Sequence, residues 1–198
     1  MSSGGFVTKG EEELWSGNRL SVHRATFTDP DGEPFTREVM RSLGSVAVVA
    51  IDEDGAGVFV RQYRPAVDSL VLEVVAGTCD VDGEPLETTA RRELAEEAGL
   101  EARDVVELGA FWNSPGYTDE WTTVFLATGL SDCAQAPAGV EERWLTVERH
   151  DVSDLAGLVA AGLLTDGKSI VGLALAAAAL AARRRDASTT QGANAAAR

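Results

Sequence analysis

The segment from Gly77 to Leu100 constrains this chain more than any other part of it. A loop between Gly77 and Gly83 leads into a run of good helix formers that starts at Pro85. Gly99 stands where the C-terminal cap of such a helix belongs. The segment therefore predicts a loop, one helix and a sharp stop.

Three glutamates lie close together on this predicted helix. Glu93 and Glu97 are four positions apart and share a face, and Glu96 lies one turn from Glu93. Like charges on adjacent turns repel each other, so the cluster stabilises nothing unless a cation lies between the carboxylates. Mg²⁺ prefers such hard oxygen ligands, together with water and substrate phosphate. A solvated charged helix face gives the same pattern, and the glutamates alone leave both interpretations open.

The whole segment resembles the Nudix box, G-x5-E-x7-R-E-U-x-E-E-x-G-U, where U is a bulky aliphatic residue. The matching positions are Gly77, Glu84, Arg92, Glu93, Leu94, Glu96, Glu97, Gly99 and Leu100. The one departure is that six residues, not five, separate Gly77 from Glu84. An extra loop residue costs little, and every spacing within the helix is intact.

The resemblance implies a Nudix hydrolase that cleaves a nucleoside diphosphate linked to another group with the help of Mg²⁺ or, alternatively, Mn²⁺. The implied metal ligands are Glu93, Glu96, Glu97 and the carbonyl of Ala76. Arg92 and Glu84 match the residues that orient these ligands. Arg92 and Glu96 are thereby candidate catalytic residues as well.

The charge of the chain agrees with a metal site. The net charge is −15, from 17 basic and 32 acidic residues. A surface this acidic repels polyanions, which argues against nonspecific binding to nucleic acid or to an anionic membrane. An anionic substrate then needs a local reversal of the field, which a bound metal ion supplies.

The remaining sequence predicts an α/β fold, namely a Nudix-type α/β/α sandwich with a mixed β-sheet, preceded by a small N-terminal β-hairpin region. The expected divisions are a β extension at 1–43, a Nudix hydrolase domain at 44–185 and a disordered tail at 186–198, with the first ten residues loose. Strands are expected at Leu20–Thr28, Phe35–Ser42, Ser45–Ile51, Gly57–Tyr63, Leu70–Val75, Val105–Trp112, Trp121–Thr128 and Trp144–Glu148. Helices are expected at Pro85–Ala98, Asp151–Ala161 and Ser169–Arg185.

A second motif bears on the substrate. Pro115, in the stretch SPGYTDE, lies sixteen residues past Gly99. A proline at this distance resembles the ADP-ribose pyrophosphatase subgroup, although a simple Pro-Gly turn between strands has the same letters. Arg61 and Arg64, in VRQYR, also resemble that subgroup and are candidate substrate contacts or surface strand charges. Glu73 matches a carboxylate common just before the box, and could equally be structural.

The base that deprotonates the attacking water is expected outside the box. In the ADP-ribose subgroup it is a glutamate on a mobile loop after the proline motif. Glu141 and Glu142 occupy that interval, and their distance from the alternating strand that follows slightly favours Glu141. A solvated loop pair is the alternative, and Glu120 is the next candidate base.

A functional role for the N-terminal hairpin is implied only by its resemblance to the corresponding segment of similar enzymes. In similar enzymes such a segment exchanges across a two-fold dimer and lends residues to the partner's site. Arg37, Glu38 and Arg41 lie in the corresponding stretch, and Trp15 or Phe35 is available to stack on adenine. A homodimer is therefore expected.

The function expected from these features is Mg²⁺-dependent hydrolysis of ADP-ribose to AMP and ribose 5-phosphate. Another nucleoside diphosphate sugar, such as GDP-mannose, is the enzymatic alternative, and a non-catalytic nucleotide-binding module is the alternative of another class. The N-terminus lacks a basic start followed by an apolar core, and two cysteines form no disulfide framework, so a cytoplasmic protein is expected.

Overall fold

The computed structural model describes residues 3–136, 139–140 and 142–196, with the backbone alone at 184 and 186–196. A three-stranded antiparallel sheet precedes a seven-stranded mixed sheet with helices on both faces. The strands are β1 (Val7–Ser16), β2 (Leu20–Thr28), β3 (Pro34–Ser42), β4 (Ser45–Ile51), β5 (Ala56–Arg64), β6 (Ser69–Glu73), β7 (Val75–Thr78), β8 (Leu100–Trp112), β9 (Trp121–Asp132) and β10 (Thr146–Asp151). The helices are α1 (Leu86–Ala98), α2 (Leu155–Ala160) and α3 (Gly167–Ala196), with short 3-10 turns at Pro65–Val67 and Glu142–Trp144. The predicted fold class is confirmed.

The N-terminal sheet contains one strand more than the sequence predicts. The hairpin of β2 and β3 is confirmed, with Phe27 opposite Phe35 and their rings stacked at 5.3 Å between centroids. The expectation that the first ten residues are loose is wrong from Val7 onward, because β1 pairs along β2. All of β1 is exposed, so backbone pairing rather than apolar burial forms it, and an apolar pattern gives no sign of it.

β4 lies in the middle of the larger sheet and is covered on both faces. It pairs in parallel with β9. β4 is almost continuously apolar, and the paired stretches of both strands are almost wholly buried, as expected for strands covered on two sides. Val46 and Val48 pack toward α1, whereas Ala47 and Val49 pack toward α3. The alternation along one strand thus builds two cores.

The sheet divides next to β4. β4 and β5 pair only at Ala50–Val58 and Ile51–Gly57, after which β6 continues along β5 and β7 continues along β4. The expected strand at 70–75 is therefore two strands that separate at Val74. The amide of Val74 donates to Ser169 Oγ of α3 at 2.8 Å instead of to a strand. The divergence opens a gap between β5 and β7.

The end of α1 follows the sequence prediction, whereas α2 and β10 depart from it. α1 ends at Gly99, whose φ is +65° and whose N–H donates to the carbonyl of Ala95, as the capping glycine predicts. α2 is shorter than expected, because β10 runs to Asp151 and Asp154 caps the helix by accepting from Gly157 N at 2.9 Å. β10 itself begins after Trp144, which lies in a 3-10 turn.

α3 is longer than the sequence predicts. Its backbone stays helical to Ala196, through most of the segment after Arg185 for which disorder is expected. Alanine has the best intrinsic helix propensity, and extending an existing helix avoids a new nucleation step. Within the described residues, no helix is both long and apolar enough to cross a membrane.

Candidate active site

A polar cleft of about 230 Å³ opens where β5 and β7 diverge beneath α1. We call it the carboxylate cleft. Its walls come from α1, β5, β7, the start of α3, the turn between β1 and β2, and the loop before β10. The lining residues are Arg19, Ser45, Gln62, Arg64, Ala76, Gly77, Thr78, Asp80, Arg92, Glu93, Glu96, Glu97, Glu120, Glu142 and Lys168.

Gly77 is required at its position by the carboxylate of Glu93. A Cβ atom on Gly77 would lie 2.0 Å from Glu93 Cδ and 2.2 Å from its Oε1. The glycine thus leaves the space that the Glu93 carboxylate fills. This contact gives a steric reason for the first glycine of the motif.

Glu93 and Glu97 are both buried and lie next to each other. The pKa of Glu97 is raised to about 8, chiefly by burial and also by the neighbouring Glu93 carboxylate, although the amide of Ala76, which donates to Glu97 Oε2 at 3.3 Å, acts in the opposite direction. Burial also raises the pKa of Glu93. Two buried carboxylates with raised pKa values side by side are the arrangement that a bound cation stabilises.

Arg92 holds three acidic side chains around the cleft. Its Nη1 lies 2.7 Å from Glu93 Oε1 and 3.1 Å from Glu96 Oε2, and its Nη2 lies 3.2 Å from Glu84 Oε2. Thr89 Oγ1 also donates to Glu84, at 2.8 Å. The orienting role expected for Arg92 and Glu84 matches these contacts.

The donors of the cleft are suited to a divalent cation by their chemistry rather than by their spacing. Among the residues that the structure describes, no three acidic, histidine or cysteine side chains converge closely enough to form a metal site. The chemistry of the donors nevertheless fits a hard divalent cation, because Glu93 and Glu97 present carboxylate oxygens beside the backbone of Ala76 in one cleft.

Arg64 reaches the cleft, and Glu73 stands behind it. The guanidinium of Arg64 makes two hydrogen bonds of 2.7 Å to the carboxylate of Glu73, which is 2% exposed. Lys168 Nζ lies 3.6 Å from Glu73 and 2.8 Å from Asp166 Oδ1. Asp166 in turn accepts from Ser169 at the start of α3. The structure therefore places Glu73 as a support of two cations and not in the lining of the cleft.

Arg61 lies on the other face of the sheet. Gln62 and Arg64 point toward the cleft, and alternation turns Arg61 to the side of Phe59. Its guanidinium makes two hydrogen bonds to Glu148, at 2.5 and 3.1 Å. They are the main reason why the pKa of Glu148 is lowered to about 2, and a hydrogen bond with His150 acts in the same direction. The structure thus does not bring Arg61 to the other candidate site residues.

Glu142 lines the carboxylate cleft from the loop before β10. Its carboxylate accepts from the amide of Gly139 at 2.9 Å, and its charge contributes to raising the pKa of Glu93 and Glu97. Glu120 lines the cleft from the SPGYTDE loop. Glu141, the other candidate base, lies outside the described residues.

A second cavity, of about 440 Å³, lies between the N-terminal sheet and the loop that carries Pro115. We call it the aromatic cavity. Its lining residues are Phe6, Phe27, Phe35, Arg37, Val39, Arg41, Trp112, Pro115, Gly116, Tyr117, Thr118 and Asp119. The guanidinium of Arg37 lies 5.0 Å from the centre of the Phe35 ring. Trp15 and Glu38, also considered from the sequence, are not in the lining of either cavity.

The N-terminal sheet is attached to the proline loop within one chain. The amide of Met40 donates to the carbonyl of Tyr117 at 2.8 Å, and Asp119 N donates to Met40 O at 3.3 Å. Asp119 also accepts from Ser42 N at 3.0 Å and from Arg41 Nη1 at 3.1 Å. Asp119 lines the aromatic cavity and its neighbour Glu120 lines the carboxylate cleft, so this loop borders both.

The model of the NUDIX domain family matches residues 41–163 of the chain. The chain belongs to the Nudix family. It is 36% identical over 173 residues to an ADP-ribose pyrophosphatase of Mycobacterium tuberculosis, covering 87% of this chain and 84% of that protein. It is 32% identical to an ADP-ribose pyrophosphatase of Bacillus subtilis, over 82% of this chain and 87% of the relative. A GDP-mannose pyrophosphatase of Escherichia coli is 30% identical, with 83% of this chain and 92% of the relative covered.

A solved structure described as an ADP compounds hydrolase has the same fold as this Nudix chain. It superposes with a TM-score of 0.79 at 21% sequence identity, over 92% of this chain and 98% of that one. The similarity extends beyond residues 41–163, so the fold of the Nudix chain as a whole, including its N-terminal part, has a counterpart.

Several residues that line the cleft are absent from the sequence predictions, among them Gln62, Lys168 and Arg19. Gln62 was detectable, because alternation along β5 sets it on the same face as Arg64. Lys168, at the start of α3, gives no signal without the contact to Glu73. Arg19, in the turn before β2, lies almost sixty residues before the box and reaches the cleft only through the fold.

Gln62 is also an indication that the cleft is shaped for a ligand. The side chain is 6% exposed, and its Oε1 is buried without a hydrogen-bond partner among the described residues. Buried polar atoms are nearly always paired in folded proteins. An unpaired acceptor in the wall of the cleft is consistent with a donor brought by whatever binds there.

Proposed function

We propose that this Nudix chain hydrolyses ADP-ribose to AMP and ribose 5-phosphate, with Mg²⁺ as the metal. The observation that carries the proposal is the loop of Pro115, which borders an aromatic cavity on one side and the carboxylate cleft on the other. A diphosphate that joins an adenine nucleoside to a sugar needs both a polar and an aromatic subsite. The two ADP-ribose pyrophosphatase relatives support the same substrate.

The metal would be held by Glu93, Glu97 and the carbonyl of Ala76, with Glu96 as a further ligand or a contact through water. Bound there, a divalent ion activates water and stabilises negative charge on the leaving oxygen. Arg92 orients Glu93 and Glu96 through the hydrogen bonds described above. Its own position is fixed by Glu84.

Glu142 takes the proton of the attacking water in this proposal, with Glu141 as the alternative. Glu142 is placed in the wall of the cleft, and the box glutamates are committed to the metal. Its loop includes Gly139, whose amide holds the Glu142 carboxylate.

The substrate contacts divide between the two cavities. Arg64, fixed by Glu73, faces the diphosphate in the carboxylate cleft. Arg37 and Pro115 line the aromatic cavity, where the nucleoside fits. Arg61 is a structural residue in this proposal, because Glu148 accepts from its Nε and Nη2 on the opposite face of the sheet.

We further propose a cytoplasmic homodimer in which the N-terminal sheet contacts the second copy. Both faces of β1 are exposed, and Trp15 is 56% exposed, so the strand gains burial only against another surface. Light scattering at micromolar concentration measures the mass directly. A species of 20.9 kDa alone would refute the dimer.

The experiment that tests the function is a substrate panel with product identification by chromatography. ADP-ribose, GDP-mannose and a nucleoside triphosphate are each incubated with Mg²⁺ and the wild-type chain, the Glu97→Gln variant, and Glu87→Gln as the control. Glu87 is an exposed glutamate of the same helix that pairs with Arg91. We expect the wild type and the control to form AMP and ribose 5-phosphate from ADP-ribose. In Glu97→Gln the rate of hydrolysis is expected to fall by orders of magnitude. Faster turnover of GDP-mannose favours the second substrate, and binding of every compound without turnover favours a non-catalytic module.

A further inference from the structure

The cations of the carboxylate cleft differ in how far they are already neutralised. Arg64 is bound to Glu73, Arg92 to Glu84 and Glu93, and Lys168 to Asp166. Arg19 also lines the cleft, but its side chain makes no ion pair or hydrogen bond with any residue that the structure describes. Within that part of the chain, Arg19 is the cleft cation with its full charge available to a ligand.

The turn that carries Arg19 is held by the N-terminal sheet. The amide of Gly17 donates to the carbonyl of Leu20 at 2.9 Å, which closes the turn. The indole of Trp15 lies where a side chain on residue 17 would be, since a Cβ atom on Gly17 would come within 2.4 Å of Trp15 Cη2. Leu20 pairs with Ser42, three residues before Ser45 in the wall of the cleft. The fold thus brings the turn to the cleft of its own chain.

The other charges in the cleft favour a contact between the substrate and an available cation. Six carboxylate side chains line it, at Asp80, Glu93, Glu96, Glu97, Glu120 and Glu142. The chain as a whole has a net charge of −15. A bound metal ion would supply part of the positive charge that a diphosphate needs in this field, and a cation outside the internal pairs supplies more. A guanidinium also presents planar, paired donors that match phosphate oxygens.

We propose that Arg19 binds a phosphate oxygen of the substrate diphosphate in the cleft of its own chain. This rests on the proposed function for the identity of the full substrate, but the contact concerns the diphosphate alone. It extends the site to a residue outside the region matched by the family model, which begins at residue 41. The N-terminal sheet then contributes to phosphate binding directly.

The test measures the binding of inorganic pyrophosphate to the Mg²⁺-loaded chain by titration calorimetry. Arg19→Gln removes the charge and is expected to weaken binding by roughly tenfold or more, the scale of a lost hydrogen bond between charged groups. Arg19→Lys keeps the positive charge but lacks the paired donors of the guanidinium. Its affinity for pyrophosphate is expected to lie between those of the wild type and Arg19→Gln. Arg24→Gln is the matched control, because Arg24 is a half-exposed arginine of β2 that pairs with Glu12 outside the cleft.

Equal pyrophosphate affinity in Arg19→Gln and in the wild type would overturn the proposal, as would a wild type that binds no pyrophosphate. An equal loss in Arg24→Gln would also overturn it, since the effect would then be one of general charge. Pyrophosphate carries neither base nor sugar, so this result does not depend on whether ADP-ribose is the substrate. The substrate panel can therefore contradict the proposed substrate while the pyrophosphate titration still supports the role of Arg19, and the reverse is also possible.

A mixing experiment tests whether Arg19 acts within its own chain. Arg19→Gln and Glu97→Gln chains are co-refolded, and hydrolysis of the substrate found by the panel is measured. If each site uses its own Arg19, no mixed species contains an intact site, and the activity equals the sum of the two separate variants. Activity above that sum would show that Arg19 is donated to the site of a second copy and would overturn the assignment.

Discussion

Replacement of Gly77 by alanine tests the central contact of the site with one methyl group. The added Cβ would lie 2.0, 2.2 and 2.3 Å from Cδ, Oε1 and Cγ of Glu93. Contact distances below about 3 Å between such atoms do not persist, because optimal separations are about 3.5–4.0 Å. The Glu93 carboxylate must therefore move by more than 1 Å, since the backbone of β7 is fixed by its pairing with β4.

The expected effect is on metal binding and turnover rather than on folding. The atoms in conflict belong to the end of a flexible side chain, and Gly77 does not have a positive φ, so alanine fits its backbone. We expect the free energy of unfolding to change by no more than about 1 kcal/mol, which is about 2–4 °C in Tm for a chain of this size. Displacement of a ligand's carboxylate is expected to cost about 10–100-fold in metal affinity, the scale seen when outer contacts of a metal site are lost.

The assay compares Mn²⁺ affinity, hydrolysis rate and Tm for Gly77→Ala and Gly10→Ala. Gly10 is the matched control, because a Cβ there meets nothing within 4 Å and its φ is not positive. Wild-type Mn²⁺ affinity and rate in Gly77→Ala would refute the reasoning, since Glu93 would then tolerate displacement. A fall in Tm far beyond 4 °C would show that the glycine serves folding instead.

Further predictions concern other parts of the chain. Glu142→Gln is expected to lower kcat by about 10²–10⁴-fold with Mg²⁺ and substrate affinity retained, because a general base acts mainly in the transition state; unchanged kcat would assign the base elsewhere. Because the pKa of Glu148 is lower in the folded chain than in the unfolded chain, its ionised carboxylate stabilises the fold at pH values above its ordinary pKa. This stabilisation is lost as the pH falls toward about 2. Glu148→Gln is therefore expected to flatten the dependence of Tm on pH over that interval, as followed by circular dichroism, and to leave KM unchanged because its partner Arg61 faces away from the cleft. Deletion of residues 186–198 is expected to change Tm by less than about 2 °C in calorimetry, because the described contacts between this helix and the core are made before Arg185, by Leu173 and Ala176 among others.

The sequence predicts the larger sheet and α1 well because their signals are local. Val46 to Ile51 is apolar on both faces of a strand, and Gly99 is a capping glycine, so each element follows from its own residues. The prediction fails at β1, which is exposed and depends on backbone pairing with a strand that follows it. It also fails at Val74, where a hydrogen bond to Ser169 from a distant helix divides what reads as one strand.

The sequence predicts the site residues that lie on one helix, but not those that come together only through the tertiary fold. Glu93 and Glu97 follow from helical spacing alone. Arg61 and Arg64 look alike in the sequence, yet the alternation of β5 sends them to opposite faces, and only the partner found there separates their roles. Lys168 and Arg19 come from opposite ends of the chain, and no spacing relates them to the box.

The hydrogen bonds between β3 and the proline loop have a thermodynamic consequence. Because Met40 and Asp119 join the two segments, the order of one is energetically coupled to the order of the other. Such coupling is reciprocal by necessity. A ligand that orders the loop strengthens the association of the N-terminal sheet with the domain. That association improves the affinity for the ligand in turn, and the two effects have the same free energy. Substitutions in β3 can therefore change the range of accepted substrates without touching either cavity, and the extension and the catalytic domain are not free to evolve independently.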